Sequence, residues 1–334
     1  MNEEIINSIK NHLTPNTESL LPDKPYFSDK RYKTFEIKKE NFKKITQTDS
    51  NKKIAFIDGG NSEILKTANI SLQLIRVYYT IYQNNKRIES KKIESFILVN
   101  SKKGNNQLSY QTSIFNKELL PSNPEFDIHD NTLSEGRHTV NISKIGETIR
   151  RFAELHLAET ITDKTDIIVL DGSLQSSVTN EINYFNALYK KAIEQNTIIT
   201  GLCKSTTLLT EKGNSLTNTL SLLEPKETWY YHPIVESEHQ DHQANIFFTK
   251  LHSLSKHIFR FEVYKAQSPN INEILTLLKQ NSKDPIFLGY PYALIEADKF
   301  ARVSNNEKEY WNTILTTKIK INKKDSHEIL DTIS

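Results

Sequence analysis

At 334 residues, the chain is long enough for one large domain or two small ones and for a substantial buried core. Lys and Arg number 43 against 41 Asp and Glu, so the net charge of +2 does not by itself indicate a nucleic-acid partner. The single cysteine, Cys203, excludes a disulfide framework and a cysteine-based zinc module. No run of about 18 apolar residues is present, so we expect a cytoplasmic protein that does not span a membrane.

Residues 1–51 are predicted to form an amino-terminal extension. They are polar, and Pro15, Pro22 and Pro25 interrupt a short helical start. The same stretch carries a basic run made of Lys30, Arg31, Lys33, Lys38, Lys39, Lys43 and Lys44. We therefore expect an extension here and not part of the core.

Three segments after residue 51 have the composition of β-strands. The run from Lys53 to Asp58 is apolar and precedes Gly59-Gly60, which is typical of a buried strand that leads into a tight turn. Residues 70–82 are rich in β-branched and aromatic residues, and residues 86–99 follow the turn-forming Asn84-Asn85. The three segments are predicted to form an antiparallel meander.

The middle of the chain alternates between helical and strand patterns. Residues 101–140 are polar and rich in Asn, Ser and Pro, which predicts a long loop with little regular structure. A helix is then expected from a cap at Ser143 to about Thr160. The segments that follow are a buried strand at 166–171, a helix at 180–195 and a strand at 197–202. This β-α-β order indicates parallel pairing.

The rest of the chain is predicted to be β-rich and then helical. Strand-like runs lie at 227–235, 244–249 and 257–265, and helical segments lie at about 270–281, 292–303 and 307–316. Three antiparallel strands, a helix and a parallel β-α-β unit follow each other in the order of an RNase H-like sheet. We therefore predict an α/β fold: an RNase H-like mixed sheet with flanking helices and a β-rich, helical carboxy-terminal elaboration.

Two acidic residues stand at strand ends and are the best site candidates. Asp58 and Asp171 each end an apolar strand immediately before glycine, so both side chains are expected at one edge of the sheet. Hydrolysis of a phosphodiester by two metal ions needs several converging carboxylates, and Mg²⁺ or Mn²⁺ takes oxygen ligands. The alternative is that each Asp-Gly pair only makes a turn.

Four motifs in this order resemble the NurA family of nucleases, which process DNA ends. Phe56-Ile-Asp-Gly-Gly60 is similar to the first motif, and Val169-Leu-Asp-Gly-Ser-Leu174 to the strand-end aspartate motif. Gly201-Leu-Cys-Lys-Ser205 and the segment Gly289–Asp298, with its Tyr290-Pro291 pair, are similar to the third and fourth. The resemblance covers most of residues 52–303. It suggests a nuclease domain at 52–320 and a tail at 321–334.

The resemblance implies a metal-dependent DNA nuclease that uses Mn²⁺ or Mg²⁺. The family's helix glutamate is matched by Glu154, with Glu147 as the competing candidate, whereas Glu159 fits a solvated surface charge. Lys204 and Tyr290 take further catalytic positions by resemblance. Asp298 stands where the family pattern has histidine, so it is expected as a fourth oxygen ligand that lacks imidazole chemistry. Alternatively, Asp298 is a surface acid paired with Arg302.

The resemblance also implies partners and a pathway. They are DNA, a second copy of the chain in a homodimer, and a HerA-type hexameric ATPase. The implied role is single-strand endonuclease and 5′–3′ exonuclease activity in double-strand-break end resection, a step of DNA repair by homologous recombination. Two alternatives stay open. One is an actin-like or sugar-kinase-type ATPase, based on Asp58-Gly-Gly-Asn-Ser62, and the other is an inactive DNA-end adaptor.

Three other patterns allow two interpretations each. Arg260 and Glu262 share one face of a strand, so they either line the cleft or form a salt bridge with each other. Tyr78, Tyr79 and Tyr82 are interpreted as packing residues in preference to a stacking surface for bases. The group His232, His239, Asp241 and His242 lacks the regular spacing of zinc motifs and is interpreted as a polar loop.

Overall fold

The computed structural model describes residues 3–13, 23–104, 107–134, 136 and 139–319. The predicted tail at 321–334 lies outside these residues. Within the part of the chain that is described, none of the helices combines the length and the apolar composition that crossing a bilayer requires.

Twelve strands form one mixed sheet. They are β1 (Tyr32–Thr34), β2 (Phe42–Lys44), β3 (Ile54–Lys66), β4 (Ile70–Gln83), β5 (Lys86–Lys103), β6 (Leu108–Ile114), β7 (Glu125–Asp127), β8 (Ile167–Asp171), β9 (Ile198–Cys203), β10 (Trp229–Ser237), β11 (Ala244–Lys250) and β12 (Phe259–Tyr264). Their order is β1-β10-β11-β12-β9-β8-β3-β4-β5-β6-β7, and β2 also pairs with β10.

The centre of the sheet has the pairing that the sequence indicates. β3-β4 and β4-β5 are antiparallel pairs, whereas β3-β8 and β8-β9 are parallel pairs. β8 and β9 therefore end beside Asp58, in the middle of β3: contrary to the tight turn predicted at Gly59-Gly60, β3 continues to Lys66 paired with β4. The carboxyl ends of parallel strands are the usual position of sites in such sheets.

Seven α-helices are described. They are α1 (Glu3–Leu13), α2 (Ile142–Thr160), α3 (Glu181–Gln195), α4 (Leu216–Leu223), α5 (Ile271–Asn281), α6 (Tyr292–Ala301) and α7 (Asn305–Ile319). Alternating residues of the central strands supply a core on each face of the sheet. Ile57 and its neighbours pack with α2 and α3, and Phe56 and its neighbours pack with α5 and α6. Burying each such side chain contributes about 1.5–3 kcal/mol, so the central strands are held firmly from both faces.

The structure corrects two further predictions. Residues 101–140 are not a long irregular loop, because β5 continues to Lys103 and both β6 and β7 extend the sheet. The polar side chains fit there because only one face of these edge strands is buried. The cap of α2 is Asn141, whose side chain accepts a hydrogen bond from the backbone N–H of Ser143. The Ser143 hydroxyl instead donates to Glu63, at 2.9 Å.

Residues 23–51 contact the sheet within the predicted extension. β1 and β2 both pair with β10, and Ile37 and Ile45 are buried. The apolar runs around these strands are short and stand among basic residues, so the sequence shows only a weak hydrophobic pattern there. Tyr78, Tyr79 and Tyr82 are buried as well, which confirms that they are packing residues.

Candidate active site

Parallel pairing brings Asp58 and Asp171 side by side. The register joins Ile57 to Leu170, so each aspartate is the next residue on adjacent strands. Neighbouring strands are about 4.8 Å apart, which places the two carboxylates within reach of a shared ligand. Asp58 is buried, and one of its oxygens accepts the backbone N–H of Gly59 at 2.7 Å.

Glu154 reaches the same edge from helix α2. Its side chain is buried, and it lies directly against Gly59. A Cβ atom at residue 59 would lie 2.5 Å from Oε1 of Glu154. Glycine is therefore required at this position so that the helix glutamate can approach the strand. The competing candidate, Glu147, has a half-exposed side chain and pairs with Lys144 at 2.6 Å.

Two arginines of α2 hold Glu154. Nη1 of Arg150 donates to Oε1 of Glu154 and also to the carbonyl oxygen of Gly59, the latter at 3.2 Å. Arg151 donates to Oε2 of Glu154 at 3.3 Å, and it is anchored by Glu181 at 2.9 Å and by the carbonyl oxygen of Ser173 at 2.7 Å. Both oxygens of Glu154 thus accept a hydrogen bond from a guanidinium group.

Lys204 is the cation on the other side of the site. It follows β9, and its Nζ lies 2.5 Å from Asp171 and 4.0 Å from Asp298. The same Nζ lies 5.6 Å from the centroid of the Tyr290 ring, whose hydroxyl donates to Asp171 at 3.4 Å. Burial alone would lower the pKa of Lys204, but Asp171 and the other acids raise it above its usual value, so this lysine remains charged.

Helix α6 brings Asp298 to the site and is itself fixed on the sheet. Asp298 is 40% exposed and bonds Arg302 at 3.0 Å, so the surface ion pair considered for it does form. The buried Glu296 accepts hydrogen bonds from Tyr78 and Tyr82 of β4, at 2.8 and 2.6 Å, and from Arg87 at 2.9 Å.

The end of α6 also contacts β3. A Cβ at Gly60 would lie 2.4 Å from the carbonyl oxygen of Ala301. The Gly59-Gly60 pair therefore admits a helix on each side of the strand, Glu154 of α2 at the first glycine and the end of α6 at the second.

The carboxylates interact electrostatically. Burial, with the neighbouring charges of Asp171 and Glu154, raises the pKa of Asp58 to about 8, although Lys204 acts in the opposite direction. A buried acid whose ionised form is destabilised by neighbouring carboxylates is typical of a site that binds a cation or moves a proton. The phenol of Tyr290 has a raised pKa because it is buried and close to Asp171 and Asp58, so it stays a hydrogen-bond donor at neutral pH.

The donor set suits a hard divalent cation, because it consists of carboxylate oxygens. Among residues 3–13, 23–104, 107–134 and 139–319, no three His, Cys, Asp or Glu side chains are already arranged around one metal position. In the ion pairs described, Arg150 and Arg151 hold Glu154, and Lys204 holds Asp171. The carboxylates fit a metal in chemistry and location once these side-chain cations yield.

A groove of about 530 Å³ opens beside Lys204, Tyr290 and Asp298. Its wall has both basic and apolar residues: Lys256, His257, Arg302, Leu254, Ile286 and Phe287. Ile286 is 82% exposed and Phe287 is 52% exposed. An exposed apolar surface next to cations suits a ligand with flat bases and charged phosphates.

Arg260 and Glu262 form the salt bridge considered for them, within a buried network. Glu262 also bonds His242 at 3.1 Å and accepts the backbone N–H of Leu174 at 2.8 Å. Burial opposes ionisation, but Arg260 and His242 hold the pKa of Glu262 down at about 2. The network thus fixes the turn that follows Asp171.

The sequence analysis missed Arg150, Arg151 and Glu181. Arg150 and Arg151 precede Glu154 by four and three residues, a spacing that places them beside it on a helix. That spacing was the available signal. Glu181 lies at the start of α3, and no local pattern connects it with Arg151.

One protein family and several solved structures are similar to this chain. Residues 52–303 match the family described as the NurA domain. No curated protein sequence gives a significant match. The crystal structure of the NurA nuclease from Sulfolobus solfataricus is similar, with a TM-score of 0.58 and 16% identity over 96% of this chain and 98% of that chain.

Two other solved structures are less similar to this chain. Ciona intestinalis endonuclease V bound to DNA gives a TM-score of 0.38 and 12% identity, over 79% of this chain and 87% of that one. The Argonaute of A. aeolicus gives 0.34 and 9%, over 74% and 28%. Similarities of this strength do not establish a shared fold, so the fold assignment rests on the Sulfolobus solfataricus structure.

Proposed function

The chain belongs to the NurA family, and from that premise we propose that it is a divalent-metal-dependent DNA nuclease that hydrolyses phosphodiester bonds. One observation carries the proposal: Asp58 and Asp171 occupy adjacent positions on parallel strands, and both Asp171 and Glu154 act electrostatically on Asp58. The strand order β5-β4-β3-β8-β9 supports an RNase H-like arrangement of this core.

The proposed metal ligands are Asp58, Glu154, Asp171 and Asp298. A bound Mn²⁺ or Mg²⁺ ion supplies Lewis acidity at the scissile phosphate and an activated water at neutral pH. Asp298 offers oxygen where the family pattern has a nitrogen ligand, which favours hard cations. The half-exposed position of Asp298 lets it turn from Arg302 toward the site without breaking a buried contact.

Lys204 and Tyr290 act on the substrate and on Asp171. Lys204 is charged, and from its position between Asp171 and Asp298 its Nζ neutralises a phosphate oxygen as negative charge develops there. The Tyr290 hydroxyl remains protonated and donates to Asp171, which orients that carboxylate. The Tyr290 hydroxyl is already placed on Asp171, whereas Lys204 has to leave Asp171 to reach the phosphate.

The groove is the proposed path of the DNA strand. Lys256 and Arg302 are placed to contact phosphates, and Phe287 presents a ring on which a base can stack. Stacking of this kind requires an unpaired base, so the arrangement favours a single-stranded substrate over an intact duplex.

The test is cleavage of a labelled single-stranded oligonucleotide with Mn²⁺, with Mg²⁺ and with chelator. We expect metal-dependent products from the wild type and a rate reduced by at least about 10³-fold in Asp58→Asn and Asp171→Asn. Glu147→Gln is the matched control, since Glu147 is an acid of α2 paired only at the surface. Equal activity in chelator, or full activity of both aspartate variants, would refute the proposal.

Family membership motivates a wider proposal. We propose that the protein works as a homodimer with a HerA-type hexameric ATPase in resection of DNA ends. Purified protein alone is expected to cleave slowly, and addition of the ATPase and ATP is expected to raise the rate. Equal rates with and without the ATPase would contradict the partnership and leave the nuclease proposal intact.

A further inference from the structure

We propose that Arg150 is an exchangeable cation: a divalent ion displaces its guanidinium from Glu154, and the released guanidinium binds a phosphate of the DNA. This inference rests on the proposed function, because it names a step that couples metal loading to substrate binding. It starts from the arrangement of the two arginines around Glu154.

The two arginines differ in how they are anchored. Arg151 is bonded to Glu181 and to the carbonyl oxygen of Ser173, so two of its N–H groups stay occupied even if Glu154 moves away. Arg150 has only Glu154 and the carbonyl oxygen of Gly59 as partners in the hydrogen bonds described for it. Its side chain is also more exposed, at 28% against 17%. Arg150 is therefore the arginine that can leave.

The site around Glu154 does not hold both the Arg150 guanidinium and a divalent ion. Its carboxylate is 4% exposed, and Oε1 lies where a Cβ of residue 59 would collide with it. Oε1 accepts from Arg150, and it is the oxygen that faces Gly59, the residue next to Asp58. A metal ion shared by Asp58 and Glu154 needs this oxygen, so the ion and the guanidinium compete for it.

Charge then directs where Arg150 goes. Once an ion has taken Glu154, the guanidinium loses its anion and gains a cation as neighbour, which repels it. Its partial exposure gives it a way toward solvent beside the carboxylates, where the scissile phosphate is proposed to bind. A phosphate accepts two parallel hydrogen bonds from a guanidinium, and this makes it the natural new partner.

The first test measures metal affinity without DNA or turnover, using isothermal titration of Mn²⁺ into Arg150→Met and wild type. We expect the variant to bind Mn²⁺ at least about tenfold more tightly, because a competing charge-assisted hydrogen bond has been removed. We also expect a lower Tm without metal, since the buried Glu154 loses a partner. Lys144→Met is the matched control, as it removes an exposed cation of the same helix, and its affinity should stay unchanged.

The second test uses the wild type alone, so it stands even if Arg150→Met does not fold. Hydrogen exchange of the arginine guanidinium N–H groups, including the Nη1–H of Arg150 that bonds Glu154, is followed by NMR as Mg²⁺ is added. Exchange at Arg150 should accelerate several-fold, whereas Arg151 should remain protected by Glu181 and Ser173. Unchanged exchange at Arg150, or Mn²⁺ binding to Arg150→Met no tighter than to wild type, would overturn the inference.

The third test addresses the phosphate. Binding of a cleavage-resistant phosphorothioate oligonucleotide is measured with and without Mn²⁺, and the metal should strengthen binding more in the wild type than in Arg150→Met. An equal gain in both proteins would overturn this step. A protein that showed metal-driven release of Arg150 but no DNA cleavage would refute the nuclease proposal alone, so the two failures are distinguishable.

Discussion

Substitution of Gly59 by alanine tests the contact between β3 and α2 that builds the site. Gly59 lies in a regular strand, so alanine adds one methyl group without backbone strain. That carbon would lie 2.5 Å from Oε1 of Glu154 and 3.0 Å from Cγ atoms of Arg150 and Glu154. Real contacts of this kind are about 3.4 Å or longer, so the carboxylate must move away by about 1 Å.

The cost of this movement can be estimated from the contacts. Overpacking a buried site costs about 1–3 kcal/mol. For domains of 150–250 residues, each kcal/mol lowers Tm by about 2–4 °C, so Gly59→Ala should melt several degrees lower. A displacement of about 1 Å at a reacting group can reduce the rate by about 10²-fold. Activity should therefore suffer far more than stability.

The assay combines differential scanning calorimetry with single-turnover cleavage of labelled DNA in Mn²⁺. Gly104→Ala is the control, because a Cβ there meets its nearest neighbour, the carbonyl oxygen of Gln107, at an ordinary 3.7 Å. In the double variant Gly59→Ala/Glu154→Asp, the shorter acid should restore Tm but not the rate. If Gly59→Ala cleaves DNA as fast as the wild type, Glu154 does not act from the position described.

Three further predictions follow from the same site. Lys204→Met should slow cleavage by about 10²–10³-fold. The acidic limb of its pH–rate profile should also move to higher pH, because Lys204 lowers the pKa of Asp58 in the wild type. An acidic limb at the same pH in both proteins would contradict this. Asp58→Asn should raise Tm in chelator more at pH 8.5 than at pH 5.5. The folded pKa of about 8 lies above the unfolded value of 3.8, so the wild type loses up to about 1.4 kcal/mol of stability per pH unit between them. Calorimetry showing an equal gain at both pH values would disprove the cause. Phe287→Ala should weaken binding of single-stranded DNA about 5- to 100-fold by loss of stacking, as measured by fluorescence anisotropy, whereas Phe115→Ala, which removes an exposed ring outside the groove, should not.

The central strands and the two aspartates were predictable from local patterns. The apolar runs before Asp58 and Asp171 identify buried strands, and the β-α-β order places the two aspartates side by side, as the register of β3 and β8 confirms. The turn predicted after Asp58 is wrong, because Gly59 and Gly60 stay paired with β4 and β3 continues to Lys66. The pattern of apolar residues also identified α2 and the face it buries. These features depend on periodicity within a single segment, which a sequence displays directly.

Long-range contacts were not predictable in the same way. β6 and β7 lie in a segment rich in Asn, Ser and Pro. They form strands because β6 pairs with β5 and β7 pairs with β6. The partner of Glu181 is thirty residues away on another helix, and the ion pair depends on how α2 and α3 pack. Gly60 likewise meets the end of α6 more than two hundred residues later. The roles proposed for the site residues themselves remain predictions.

The buried carboxylate of Glu296 has a mechanical consequence. Its three hydrogen-bond donors, from Tyr78, Tyr82 and Arg87, fix the position of α6 on the sheet. An extra residue inserted between Tyr292 and Glu296 would rotate one part of the helix by about 100° against the other and advance it by about 1.5 Å. Either Glu296 or the amino-terminal turn of α6 beside Tyr290 would then be misaligned, so this stretch should tolerate substitutions far better than changes in length.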